Sequence, residues 1–213
     1  MKKQIALIVY PKFSFQEIAD LCGLFRWDYD SKTVVFYSSK EPVHSEEGFM
    51  ILPEKTFDEF SKEEYDCLVL SGCSDLREGL ADEKLKAFLS SLQNEKDLVI
   101  GAICSGPIFL AQAGLLKGKK FTSSLFVEMY ERMTFIEQDN AVYAPIVEDG
   151  NIITATGDAF DLFAITIARK IGYDCPDKIY GGMGKIDWTE KDYQFYLSPE
   201  GLQQMEDAFK KYF

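Results

Sequence analysis

The chain has 213 residues, 46% of them hydrophobic, a length at which roughly 70% of the surface of the unfolded chain can be buried on folding. Its formal net charge of −12 argues against a surface that binds nucleic acid or anionic lipid, because such surfaces need clustered Lys and Arg side chains. A globular protein with no nucleic-acid partner is therefore expected.

No apolar run approaches the ~20 residues that a membrane crossing needs, so we expect no contact with a membrane and a cytoplasmic location. The five cysteines are an odd number at irregular spacings and form no CxxC pair. This pattern fits neither a zinc site nor a disulfide framework, and reduced thiols are expected. The cysteines are Cys22, Cys67, Cys73, Cys104 and Cys175.

Short apolar runs alternate with helical patterns through the first half of the chain. Such runs, rich in Val, Ile and Leu, are typical of strands buried on both faces of a sheet. The predicted strands are residues 4–10, 33–38, 66–71 and 98–103. Apolar spacing of three and four positions predicts helices around Ile18, Leu21, Cys22 and Phe25 and around Leu85, Phe88, Leu89 and Leu92. Strands that alternate with helices indicate a mostly parallel sheet.

The second half begins with a different pattern. Residues 143–147 and 152–156 are apolar runs on either side of a polar turn, which predicts an antiparallel hairpin at an edge of the sheet. A helix is predicted to open at Asp158 and to stop at Gly172.

The aromatic tail, residues 173–213, carries one more helical pattern after Pro199. No linker, internal repeat or low-complexity segment interrupts the chain. Residues 1–213 are therefore predicted to form a single domain, with the tail as an extension packed on it.

The strongest chemical signal is the segment Gly101 to Pro107, in which a predicted strand ends at Cys104 and small residues lead into a helix at residues 108–114. A cysteine on such a strand-to-helix elbow projects its sulfur from the carboxyl edge of the sheet. The following helix terminus would favour the thiolate, which is the reactive form. The alternative is that Cys104 is one more buried thiol, which would leave the flanking small residues unexplained.

The run AICSGPIFLAQAGLL, which contains Cys104, resembles the nucleophile elbow of the ThiJ/PfpI family, within the class I glutamine amidotransferase-like superfamily. The resemblance extends from Ile5 to about Tyr173 and includes FSFQEIAD, LVLSG, FTSS and DGNIITATGDAFDLFAITIARKIG. It implies an α/β fold of the flavodoxin-like or Rossmann-like kind, a three-layer sandwich with helices on both faces of the sheet. The tail lies outside the resemblance and is expected to vary within the family.

The resemblance implies that Glu17, on the first helix, reaches the Cys104 sulfur. A carboxyl group held beside a thiolate should be protonated, so that it can donate a hydrogen bond and tune the reactivity of the thiol. The residues themselves offer another reading, because Ser14-x-x-Glu17 is also a capping box in which Glu17 accepts from its own helix.

The resemblance also implies an oxyanion hole made of backbone N–H groups from Gly72 and Cys73, together with those of the elbow at Cys104 and Ser105. In the family the loop has paired glycines, and Cys73 replaces the second of them. Either Cys73 is a tolerated small side chain or it is a resolving cysteine that pairs reversibly with Cys104.

Many catalytic members of the family have a histidine twenty residues after the cysteine, where this chain has Ser124. Serine does not exchange protons near neutral pH, so chemistry that relies on a Cys-His pair is put in doubt. The single histidine, His44, lies in a polar stretch and is expected to be a solvated loop residue.

Three functions remain open. The first is a cysteine-dependent hydrolase or lyase in which Cys104 attacks a small electrophile and Glu17 carries the proton. The second is an oxidation-sensing or protective protein that forms a Cys104 sulfinate. The third is a binding module without chemistry.

No motif for a cofactor or a metal is present, so neither is expected. The resemblance implies a homodimer.

Overall fold

The computed structural model describes residues 4–179 and 189–212, and its centre is a seven-stranded sheet in the order β5-β2-β1-β6-β7-β9-β8. A separate two-stranded hairpin consists of β3 and β4. The strands are β1 (Gln4–Ile8), β2 (Lys32–Tyr37), β3 (Val43–His44), β4 (Met50–Ile51), β5 (Lys55–Thr56), β6 (Cys67–Leu70), β7 (Val99–Ile103), β8 (Ile146–Asp149) and β9 (Ile152–Ala155).

All the strand pairs of the large sheet are parallel except the pairing of β8 with β9, where Ile146 lies opposite Ala155. Strands β1, β6, β7 and β9 are apolar throughout or nearly so, as expected for strands covered on both faces. The parallel sheet is thus confirmed, and so is the antiparallel hairpin at its edge, although the first strand of the hairpin starts at Ile146 rather than at residue 143 and continues to Asp149.

Helices cover both faces of this sheet. Helices α1 and α6 pack on one face and contact each other, whereas α2, α3 and α4 pack together on the other. The α/β sandwich predicted from the sequence is confirmed. The helices are α1 (Gln16–Trp27), α2 (Leu76–Ala81), α3 (Glu83–Ser91), α4 (Pro107–Gln112), α5 (Val127–Arg132), α6 (Phe160–Lys170) and α7 (Pro199–Phe209).

Several elements differ from the sequence-based expectation. The short strands β3, β4 and β5 and the helices α2 and α5 were not predicted, because two to six residues are too few to show a periodicity. The helix expected to open at Asp158 begins as a 3-10 turn, Gly157–Ala159, and becomes α-helical at Phe160. It stops as predicted at Gly172, whose φ of 92° is left-handed.

The tail contributes α7 to the described structure, whereas residues 180–188 and 213, which belong to the predicted extension, lie outside the described residues. Among the helices that the structure describes, none has the length and apolarity needed to cross a membrane. The prediction of a single domain stays a prediction.

Parallel pairing brings the carboxyl ends of β1, β6, β7 and β9 to the same edge of the sheet. The segments that follow these strands carry Glu17, Gly72, Cys104 and Gly157 respectively. The fold therefore places these four residues close together, although up to 140 positions separate them in the sequence.

Candidate active site

Cys104 directly follows β7 and has a φ of 60°, which lies in the left-handed region. A residue with a side chain costs roughly 1–2 kcal/mol in this conformation, so the surrounding bonds must hold it there. The Cys104 N–H donates to the Ala155 carbonyl at 2.9 Å, and its own carbonyl accepts from the Ser124 N–H at 2.8 Å. Both backbone groups of the cysteine are thus fixed by neighbouring segments, and the predicted elbow is present.

The Glu17 carboxyl group lies against the Cys104 sulfur and forms a hydrogen bond with it. The carboxyl group is itself held in place by the Gly72 N–H, which donates to Glu17 Oε2 at 2.6 Å. A Cβ atom on Gly72 would be 2.9 Å from both the sulfur and Oε2, and one on Gly157 would be 3.0 Å from the sulfur. The two glycines therefore leave the space that the cysteine and the carboxyl group occupy.

Glu17 does not cap its own helix, so the capping-box interpretation is wrong. No side chain within α1 caps its amino end. Instead the Glu47 carboxylate, from the turn between β3 and β4, accepts from the Phe15 N–H at 3.1 Å and the Gln16 N–H at 2.9 Å. Because Glu47 satisfies these donors, Glu17 can turn toward the sulfur.

Burial raises the pKa of Glu17 to about 7, against the opposing hydrogen bonds from Cys104 and Gly72. Burial, together with the charge of Glu17, raises the pKa of the Cys104 thiol well above its usual range. The expectation of a lowered pKa for Cys104 is therefore wrong, because burial disfavours the thiolate and the neighbouring Glu17 charge disfavours it further. Helix α4, whose amino end was expected to favour the thiolate, has only six residues.

Cys104 and Glu17 thus lose one proton together near neutral pH and keep the second. In the resulting anion, transfer of the remaining proton from sulfur to carboxylate changes no net charge. The arrangement can produce a thiolate by proton transfer to Glu17 at the moment when the sulfur attacks.

Ser124, which lies where the resemblance implies a histidine in many catalytic proteins, hydrogen-bonds to the Cys104 sulfur. Its Oγ accepts from the Gly157 N–H at 2.9 Å, so the hydroxyl hydrogen is available to the sulfur. Together with a backbone hydrogen bond from Ser105, it lowers the pKa of Cys104 and partly offsets the effect of burial. From the sequence, Ser124 indicated only that a base is missing, and its hydrogen bond to the sulfur was not predicted.

The backbone donors expected to form an oxyanion hole have acceptors within the protein. The Gly72 N–H is bonded to Glu17, the Cys73 N–H donates to Ser105 Oγ at 3.0 Å, and the Cys104 N–H belongs to the sheet. The Ser105 N–H is directed to the sulfur. The Ser105 hydroxyl in turn donates to the Cys73 carbonyl at 3.3 Å.

Cys73 lies on the wall of the same cleft as Cys104. Its thiol hydrogen-bonds to the Asp75 carbonyl at 3.5 Å, and burial raises its pKa to about 12. Both cysteines are free thiols, and a Cys73–Cys104 disulfide stays a prediction.

Cys104 lines a cleft of about 610 Å³, together with its neighbours Ser105 and Ser124. His44 is exposed in β3 and is not among the residues that line this cleft. Within residues 4–179 and 189–212, no three His, Cys, Asp or Glu side chains form a group that could hold a metal ion.

Comparison with known proteins gives a consistent result. The sequence profile described as the DJ-1/PfpI family matches residues 3–170. The protein DJ-1alpha of Drosophila melanogaster is 31% identical over 79% of this chain and 77% of its own length. An isonitrile hydratase of Pseudomonas putida is 24% identical over 80% of this chain and 73% of its own. The crystal structure of a DJ-1 superfamily protein from Agrobacterium tumefaciens, 20% identical, covers 98% of both chains with a TM-score of 0.71.

Proposed function

The chain belongs to the DJ-1/PfpI family, and we propose that it is a cysteine-dependent hydrolase or lyase that acts on a small-molecule electrophile. Cys104 is the nucleophile and Glu17 carries the proton. The observation that supports this proposal is the hydrogen bond between the Glu17 carboxyl group and the sulfur of Cys104, a residue that lines an open cleft. A pKa of about 7 leaves Glu17 able both to accept and to donate a proton near neutral pH.

The first step is addition of the sulfur to a polarised carbon. The new C–S bond forms as the S–H proton passes to the Glu17 carboxylate, and the π electrons of the substrate move to its oxygen or nitrogen. The proton on Glu17 then neutralises that atom. No charge is created or lost in the site, which suits a partly buried position.

Release of the product reverses the roles. Water adds to the C=N bond of a thioimidate intermediate, and one of its protons passes through Glu17 to the nitrogen. The C–S bond then breaks as the C=O bond forms, and the hydroxyl proton passes through Glu17 to the sulfur. Throughout, the Ser124 hydroxyl and the Ser105 N–H stabilise negative charge on the sulfur as it attacks and leaves. Glu17 is thus acid and base in turn, and no histidine is needed.

Isonitrile hydration, the activity in the name of the Pseudomonas putida relative, fits these steps. The sulfur would add to the terminal carbon, the same carbon would take the proton from Glu17 to give a thioimidate, and hydrolysis of the thioimidate would give a formamide. Aldehydes and activated amides present an electrophilic carbonyl carbon instead, and with an amide the amine leaves with the proton from Glu17 before water attacks the thioester.

The test is turnover of a panel of isonitriles, dicarbonyls, aldehydes and amides by the wild-type protein and by Cys104→Ser and Glu17→Gln. We expect consumption of at least one class by the wild type and its loss in both variants. Equal rates in wild type and Cys104→Ser across the panel would overturn the proposal.

A second candidate function is oxidation sensing or protection through a Cys104 sulfinate, because the sulfur has three hydrogen-bonding neighbours, Glu17, Ser105 and Ser124, that suit an oxidised cysteine. One peroxide converts the thiol to a sulfenic acid and releases water, and a second gives the sulfinic acid. Mass spectrometry of peroxide-treated protein distinguishes this outcome, since a gain of two oxygens confined to the Cys104 peptide supports it. A homodimer and a cytoplasmic location stay predictions.

A further inference from the structure

The cleft beside Cys104 has two apolar walls. One wall comes from the family domain and consists of Leu125, Phe126 and Met129, at the start of α5. The other comes from the tail and consists of Leu197, Met205 and Phe209. The family profile ends at residue 170, so the second wall lies beyond the part of the chain that the profile describes.

The tail is fixed in this position by specific contacts. Phe195 accepts from the Val127 N–H at 2.9 Å, and Arg132 of α5 contacts Glu206 of α7 at 3.1 Å. Helix α7 begins at a Ser198 cap, whose hydroxyl accepts from the Gly201 N–H at 3.1 Å. The tail is therefore held to α5 at both ends of the wall.

The inner face of α7 leaves room in the cleft. Gly201, Met205, Ala208 and Phe209 all line it, and they follow the spacing of one helix face. The two smallest of these residues, Gly201 and Ala208, keep the space open, while Met205 and Phe209 supply apolar surface.

We propose that the tail makes the site specific for electrophiles that carry an apolar chain or ring of about five to eight carbon atoms. A volume of about 610 Å³ is much larger than a three-carbon dicarbonyl needs. The reacting carbon lies at Cys104, the apolar body lies between α5 and α7, and polar substituents reach the rim at Asp75, Arg77 and Gln204. This inference rests on the proposed nucleophilic role of Cys104.

The experiment compares alkylation of Cys104 by iodoacetamide and by N-hexyl iodoacetamide, with peptide mapping to separate Cys104 from the other cysteines. In each reaction the C–S bond forms, the C–I bond breaks, iodide leaves and the thiol proton is lost. Rates are divided by those of glutathione with the same reagents. We expect the hexyl reagent to be favoured at Cys104 by about tenfold, through burial of its methylene groups.

Variants on the inner face of α7 should remove this preference. Gly201→Phe fills the cleft, and the nearest atom to a new Cβ, Cδ2 of Leu197, is at 3.3 Å and can move. Ala208→Phe is a second filling variant at an exposed position. Gln203→Phe, on the same helix but outside the cleft, is the matched control and should keep the preference.

The outcomes separate the two proposals. If Cys104 reacts but shows no preference for the hexyl reagent, or keeps it in both filling variants, the apolar specificity is overturned and the nucleophilic role stands. If Cys104 reacts with neither reagent, both are overturned.

Discussion

The hydroxyl oxygen of Ser124 accepts a hydrogen bond from the Gly157 N–H at 2.9 Å, and the same hydroxyl group hydrogen-bonds to the Cys104 sulfur. Because the Ser124 oxygen accepts from the Gly157 N–H, the hydroxyl hydrogen is directed to the sulfur. Ser124 therefore lies where the family resemblance implies a base but acts as a donor to the sulfur.

Ser124→Ala should slow alkylation of Cys104 by iodoacetamide at pH 7 by about three- to tenfold, the value of one hydrogen bond that contributes about 1 kcal/mol net. The variant leaves the Gly157 N–H without its acceptor and should also lose about 1 kcal/mol of stability. Ser123→Ala is the control, because the Ser123 hydroxyl is bonded to Tyr130 at 2.6 Å. Equal alkylation rates in the two variants would contradict the role of Ser124.

Glu17 should make the protein less stable as the pH rises. Its pKa in the folded state is about 7, above the ordinary value of 4.5, so the folded protein holds a proton that the unfolded chain has already lost. This stabilisation is complete below pH 4.5 and disappears as the pH passes 7, a change of about 3 kcal/mol. Glu17→Gln keeps the hydrogen-bonding shape without the titration.

Urea unfolding between pH 5 and pH 8 measures this effect. The difference in free energy of unfolding between Glu17→Gln and wild type should increase toward high pH, in favour of the variant. A difference that stays constant over this range would show that Glu17 has an ordinary pKa.

Asp161 of α6 is a second carboxyl group whose pKa is raised, to about 6, by burial and by Asp20 of α1. Its Oδ1 atom is buried and has no hydrogen-bond partner. The stabilisation from its proton is present below pH 3.8 and is lost as the pH rises through 6. Asp161→Asn should therefore raise stability at pH 7.5 by about 1 kcal/mol and have little effect at pH 4.

Thermal unfolding at these two pH values tests the prediction, with the exposed Asp207→Asn on α7 as control. A lower melting temperature for Asp161→Asn at pH 7.5 would contradict the assignment of a strained carboxylate.

Glu47→Ala should destabilise the protein by about 1 kcal/mol, because the Phe15 and Gln16 N–H groups lose their acceptor. The loss should also slow alkylation of Cys104, since the first turn of α1 carries Glu17. Glu46→Ala, the neighbouring exposed carboxylate, is the control for charge. If Glu47→Ala and Glu46→Ala have the same free energy of unfolding in urea, Glu47 is not the cap.

Much of the fold can be predicted from local patterns in the sequence. The strands at Gln4–Ile8 and Val99–Ile103 and the helix at Gln16–Trp27 follow from continuous or periodic apolar residues, which need no long-range information. The elbow at Cys104 is likewise local. The partnership of Cys104 with Glu17, by contrast, came from the family resemblance.

Other features depend on contacts between distant segments. Glu47 caps a helix that begins 31 positions earlier, and no periodicity marks it. The apolar wall from Met205 and Phe209 becomes visible only when α7 is placed against α5. The pKa of Cys104 was predicted in the wrong direction because motif spacing does not measure burial.

The central claim is that Glu17 removes the proton of Cys104 as the sulfur attacks, and the pH dependence of Cys104 alkylation by iodoacetamide tests it most directly. In wild type the rate should rise with a midpoint at pH of about 7, the pKa of Glu17. In Glu17→Gln it should be about a hundredfold slower at pH 7.5, with the rise moved to much higher pH. Superimposable profiles for the two proteins would contradict the claim.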